Sequence, residues 1–99
     1  TFSINTSNEP IPSDYSMFQN YPNPFNPATT ISFQLPKSGI INLSIYNIKG
    51  QLVETLINEQ RIPGSYSVFW NASNFSSGLY LYKLTTGNQT FTKKMLLLK

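Results

Sequence analysis

Four carboxylates are available to this chain, Glu9, Asp14, Glu54 and Glu59, and it has neither histidine nor cysteine. Zinc sites, thiol nucleophiles, imidazole bases and disulfides all need one of the two missing residue types. Glu54 and Glu59 are the only carboxylates after residue 14. A pair five residues apart, at a strand end and in a loop, makes a poor acid–base couple without a pocket. Two carboxylates are also too few for a calcium cage. No phosphate-cradling glycine loop and no nucleophile elbow occurs. These residue types do not exclude a serine–lysine dyad, but in a chain so rich in serine a chance pairing carries little weight. The residues predict a protein that is not an enzyme and holds no metal or cofactor.

The charge balance excludes a second class. Seven basic and four acidic residues give a net charge of +3 over 99 residues. The only dense basic spot is Lys93–Lys94, whereas nucleic-acid binding needs a stripe that neutralises several phosphates. The apolar runs are far short of a bilayer span, so membrane insertion is not expected. Absence of cysteine does not fix the compartment. A first residue of Thr and not Met makes a fragment or processed product the expectation, with any export leader upstream. Five Asn-x-Ser/Thr sequons begin at Asn5, Asn42, Asn71, Asn74 and Asn88, which composition alone explains.

The most distinctive stretch is "QNYPNPFNPATTI", residues 19–31, with Pro22, Pro24 and Pro27 around Tyr21 and Phe25. Each proline removes a backbone donor and pushes the preceding residue toward extended geometry. A stiff, polyproline-like connection follows, unable to pair continuously in a sheet. Two readings stand side by side. In one, Tyr21 and Phe25 are plugs packed over one end of the fold. In the other, the segment is a preformed grip for another protein.

The elements that would carry these residues are strands. Residues 1–14 are poor in apolar side chains and read as a linker or irregular lead-in; 15–99 read as one domain. "TISFQL" puts Ile31, Phe33 and Leu35 on one face, and "INLSIYN" does the same with Ile41, Leu43 and Ile45. Asn47 through Gly50 suit a type I turn closed by a left-handed glycine, joining 41–47 and 51–57 as a hairpin. "QLVETLI" is apolar on both faces, so its inward side is ambiguous. "SYSVFWN" sets Tyr66, Val68 and Trp70 against Phe69, and "GLYLYKLTT" sets Tyr80, Tyr82 and Leu84 against Leu79, Leu81 and Lys83. With a short strand near 15–20 and a terminal one in "QTFTKKMLLLK", about seven strands result. They predict an all-β, antiparallel, immunoglobulin-like or fibronectin-like sandwich, with Trp70 and a tyrosine in the core and Tyr80 as a tyrosine-corner residue.

The terminal strand is itself unusual. Met95 and Leu97 point one way and Leu96 and Leu98 the other. Either the strand is central and fully buried, or its spare apolar face and edge dock a partner, with strand addition as one mode. Lys94 and Lys99 would limit nonspecific edge pairing.

The blocks "YPNPFNPATTISFQLP", "LSIYNIKGQLVETL", "FWNASNFSSGLYLYKL" and "TKKMLLLK" resemble successive parts of the type A C-terminal sorting domain of the type IX (Por) secretion system. That family is similar to the Ig-like domain of the flagellar hook-capping protein. The likeness spans about residues 15–99. It implies a non-catalytic signal that takes an N-terminally fused cargo protein from the periplasm of a diderm bacterium through the outer-membrane translocon, to be secreted or attached at the cell surface. The implied partners are an outer-membrane shuttle β-barrel and a sortase-like cysteine peptidase. The implied recognition residues are Tyr21, Pro22, Asn23, Pro24 and Phe25, Gly50, Gly78 with Tyr80, and Lys93, Lys94, Met95, Leu96, Leu97, Leu98 and Lys99. Residues 1–14 are the natural place for a cut. Two alternatives are a retained structural module of an extracellular protein, and a carbohydrate-binding module using exposed aromatics among Tyr15, Tyr46, Phe69, Phe75 and Tyr82.

Overall fold

The structure is a computed structural model and describes residues 11–99. It contains seven strands: β1 (Ser16–Met17), β2 (Ala28–Leu35), β3 (Gly39–Asn47), β4 (Leu52–Arg61), β5 (Gly64–Asn71), β6 (Gly78–Thr85) and β7 (Thr90–Leu97). They form a three-stranded sheet, β1–β2–β5, and a four-stranded sheet, β4–β3–β6–β7, with every strand pair antiparallel. This is the expected all-β sandwich.

The two-residue period of the sequence builds the core directly. In β2, Ile31, Phe33 and Leu35 are fully buried while Thr30, Ser32 and Gln34 are not. They meet Ile41, Leu43 and Ile45 of β3 and Tyr82 and Leu84 of β6 in one apolar cluster. Each such side chain contributes about 1.5–3 kcal/mol on leaving water. In a domain this small that is a large part of the net stability.

The hairpin at Asn47–Gly50 forms as its residues dictate. Gly50 has φ of 82°, and its N–H donates to the Asn47 carbonyl at 3.0 Å. The Asn47 side chain accepts from the backbone N–H groups of Lys49 and Gln51. The ambiguity in "QLVETLI" resolves through two irregularities in the β3–β4 register. Leu43 pairs Ile57 and Ser44 pairs Thr55, leaving Leu56 extra; Ile45 pairs Glu54 and Tyr46 pairs Leu52, leaving Val53 extra. Each extra residue resets the alternation, and Val53 and Leu56 both pack against the core beside buried Ile57. A strand that is apolar on both faces is here a strand bulged twice.

Two expectations need correction. The first strand is not 15–20 but only Ser16–Met17. After Phe18 the chain takes three residues, 18 to 21, to pass two of β2, with Phe18 bonded to Ser32 and Tyr21 bridged to Thr30. Nor is β7 a central strand: it stands at the edge of its sheet. Of the expected lead-in, residues 1–10 (with Asn5 and Glu9) lie outside the described residues, and 11–14 carry no strand.

Candidate functional site

The proline segment is a clasp on the edge of β7. Phe25 forms a one-residue parallel bridge with Leu97. Its N–H donates to the Leu96 carbonyl at 3.0 Å, and its own carbonyl accepts from the Leu98 N–H at 2.9 Å. Asn23 Oδ1 accepts from the Leu96 N–H at 3.1 Å, and Gln19 Nε2 donates to the Lys94 carbonyl at 2.7 Å. The outward backbone groups of Leu96 in β7 and of Leu98 just beyond it are thus already paired. Strand addition there, one of the expected docking modes, is closed off.

The segment bends at 22–24 and 26–27 and is not a continuous polyproline helix; the peptide bonds before all three prolines are cis. Asn20, buried, holds the bends together. Its Nδ2 donates to Thr29 Oγ1 at 3.0 Å and to the Pro22 carbonyl at 3.1 Å, while Thr29 Oγ1 donates to the same carbonyl at 2.9 Å. The Asn20 N–H donates to the Tyr82 hydroxyl, which in turn donates to the Phe18 carbonyl, both at 2.8 Å. One buried phenol therefore ties β6 to the opposite sheet. Burial pushes the Tyr82 hydroxyl above its ordinary value, and the backbone bond from Asn20 partly opposes this.

Phe25 is a plug, as one reading expected; Tyr21 is not. Phe25 is 2% exposed and its ring lies 5.8 Å from that of Trp70, whereas Tyr21 is 82% exposed. The reason is pairing: Tyr21 exchanges both backbone bonds with Thr30, and Thr30 faces outward between buried Thr29 and Ile31. Residues directly opposite in an antiparallel pair share a face, so Tyr21 must point out.

Trp70 is the hub of this end. Phe75 lies 5.7 Å from it and Tyr80 meets it edge-on at 5.8 Å. Tyr80 donates its hydroxyl to the Ser76 carbonyl, four residues back, at 2.7 Å, as a tyrosine corner requires. Glu54 accepts the Trp70 indole N–H at 3.1 Å, which gives that carboxylate a structural task. Lys99 is not at the strand edge: its Nζ donates to the Ser73 carbonyl at 2.6 Å and its N–H to Ser77 Oγ at 3.0 Å.

The resemblance blocks thus converge on one end of the sandwich, formed by the 20–27 segment, the 47–50 turn, the 72–78 loop and the last residues of β7. The expected recognition residues divide in two. Phe25, Tyr80, Met95 and Leu97 are buried and build the end; Lys93 is half-buried opposite Tyr82. Tyr21, Leu98 and Lys99 are exposed, and Leu96 is half-buried. Gly50 and Gly78 set backbone turns at the end of β3 and the start of β6.

Leu52, Leu79, Leu81 and Lys83 were not among the residues expected, and Tyr46 was expected only as a sugar-binding aromatic. On the outer face of the four-stranded sheet, Leu79 of β6 pairs Leu96, and the next row runs Lys94–Leu81–Tyr46–Leu52 across all four strands. Lys83 Nζ sits 5.1 Å from the centre of the Tyr46 ring. The result is an apolar patch bordered by two lysines. Its signal was present in "GLYLYKL", where leucines occupy the face opposite the buried tyrosines. Of the aromatics named for sugar binding, Tyr82 is buried, Phe75 packs on Trp70, Tyr15 on Phe91, and Tyr46 lies beneath Lys83; Phe69 stands exposed on the outer face of the other sheet, away from these four.

A small sandwich whose distinctive residues build one end and a flanking apolar face has the form of a recognition domain. No group of three or more His, Cys, Asp or Glu gathers among the described residues. A family model described as the secretion system C-terminal sorting domain matches residues 19–98. The chain belongs to that family, whose members are C-terminal signals of the type IX secretion system, carrying cargo through the periplasm to the cell surface or medium. The match begins at Gln19, the first residue of the clasp, and ends at Leu98, the last residue it holds. No curated protein matches the chain in sequence.

Proposed function

We propose that this domain is read in its folded state by an outer-membrane shuttle β-barrel, through the outer face of the four-stranded sheet at its C-terminal end. The chain contributes binding and no catalysis. A sortase-like cysteine peptidase then cuts within residues 1–14. The observation that carries this reading is the patch Leu52, Tyr46, Leu81, Leu79 and Leu96 beside a β7 edge already occupied by the clasp.

With the edge groups of Leu96 and Leu98 paired, specificity at this end falls to side chains. An apolar surface rimmed by Lys83 and Lys94 suits a partner surface that is apolar with an acidic border. Asn23, Pro22, Pro24 and Phe25 act by holding β7 in place; Gly50, Gly78, Tyr80, Met95 and Leu97 act by shaping the end; Lys93, Leu98 and Lys99 lie along or beside it.

Photocrosslinking tests this. A photoreactive residue at position 79 in a reporter fusion is expected to yield an adduct with the shuttle β-barrel, and one at Gln60, near the far end of β4, is not. Equal yields from both positions would overturn the assignment of the surface.

A further inference from the structure

The two sheets differ sharply in charge. None of the residues of β1, β2 or β5 is charged, whereas the four-stranded sheet holds Glu54, Glu59, Arg61, Lys83, Lys93 and Lys94. The uncharged sheet also carries exposed aromatics on its outer face. Phe69 of β5 stands opposite Thr30 of β2, and Tyr21 stands opposite Thr30 from the other side. Phe18 follows two residues further along β2, bonded to Ser32. All three are strongly exposed, at 67%, 82% and 47% respectively for Phe69, Tyr21 and Phe18. None belongs to the apolar patch of the other sheet.

We propose that this outer face is a binding site for an uncharged polysaccharide, with Tyr21, Phe69 and Phe18 as stacking platforms and the hydroxyl and amide groups between them as polar contacts. Three properties select that ligand. Among the described residues, the strands of this face carry no charge with which to recognise an acidic polymer or a charged protein surface. Aromatic faces are electron-rich and attract the polarised C–H groups of a pyranose ring. Tyr21 and Phe69 lie two strand spacings apart, about 10 Å, which is the length of a disaccharide step in an extended β-linked glycan.

The polar groups fit the same partner. Ser32 Oγ and Ser67 Oγ lie 3.1 Å apart with either able to donate, and Gln34 Nε2 donates to Ser65 Oγ at 3.4 Å, all exposed. Rows of groups that both donate and accept match a polymer whose hydroxyls do both. A protein partner would gain little from a row of hydroxyls flanked by strands without charged residues to set its register.

The test is a titration of the isotopically labelled 99-residue chain, followed by amide NMR shifts. The probes are cellohexaose, xylohexaose and mannohexaose, with an alginate hexasaccharide as the charged comparison. At least one neutral probe is expected to give saturable shifts confined to β1, β2, β5 and residues 18–21, and alginate none. Tyr21→Ala and Phe69→Ala should each weaken that binding by about tenfold or more with the melting temperature unchanged, while Tyr21→Phe retains it. No saturable shift with any neutral probe, or binding that both alanine variants leave intact, would overturn the proposal. So would shifts centred on the four-stranded sheet.

Discussion

Phe25 and Leu97, separated by most of the chain, are locked in a one-residue parallel bridge, with the Phe25 ring against Trp70 beneath it. The prolines on either side stop Phe25 from extending this pairing into a strand. One residue of pairing is nonetheless enough to occupy the last outward groups of β7. An edge strand with open N–H and C=O groups invites promiscuous pairing; the clasp removes that hazard where the strand is most apolar.

Phe25→Ala should therefore destabilise the domain by about 3–5 kcal/mol, the cost of truncating a core aromatic. Tyr21→Ala should change stability by no more than about 0.5 kcal/mol, as for an exposed side chain. Thermal melts of the two variants side by side check both values.

Tyr82→Phe removes the acceptor of the buried Asn20 N–H and the donor to the Phe18 carbonyl. The unpaired N–H alone should cost about 1–3 kcal/mol. The pH dependence has a definite sign. The hydroxyl of Tyr82 titrates above its ordinary 10.0 because burial disfavours the phenolate. The folded state thus holds this proton more tightly than the unfolded state. Its contribution is complete below pH 10.0 and is lost as pH rises through the folded-state value. Denaturant melts across the alkaline range should show the wild-type chain losing stability faster than Tyr82→Phe.

Gly50→Ala should cost about 1–2 kcal/mol, because φ of 82° is left-handed backbone that a Cβ disfavours. No atom stands within 4 Å of the added Cβ, so the loss is conformational and not steric crowding by neighbours. Chemical denaturation should show a lower midpoint with an unchanged slope.

Deleting Met95–Lys99 should unfold the domain. Met95 and Leu97 leave the core, each worth about 2–5 kcal/mol when truncated to alanine, and Phe25 loses its pairing partner. Circular dichroism should report a chain without its cooperative transition. A loss of export in that deletion would consequently measure folding, and point substitutions on the surface are the informative variants.

Most of the sandwich was legible because its strands alternate cleanly: β2 and β6 bury the residues their period selects, β5 turns Tyr66 and Val68 partly and Trp70 fully into the core, and the Asn47–Gly50 turn follows from two residue types. What was not legible depended on pairing between distant segments. Whether Tyr21 or Phe25 turned inward was decided by which of them paired with Thr30 and which with Leu97, and both partners lie outside the segment. The double apolar face of "QLVETLI" needed the register of β3 to show that Val53 and Leu56 are bulged. The two outer faces, one uncharged and aromatic, the other leucine-rich and basic at its rim, emerge only when strands remote in sequence are set side by side.

Export of a reporter fused ahead of residues 1–99, in cells with a working type IX system, is the direct test of recognition through the outer face of the four-stranded sheet. It should be compared with the same fusion carrying Leu52→Ser, Leu79→Ser and Leu96→Ser, with melting of the isolated variant confirming that it folds. The unaltered fusion is expected to reach the surface or medium while the folded triple variant stays in the periplasm. Export of the triple variant at the unaltered level would contradict recognition through this face.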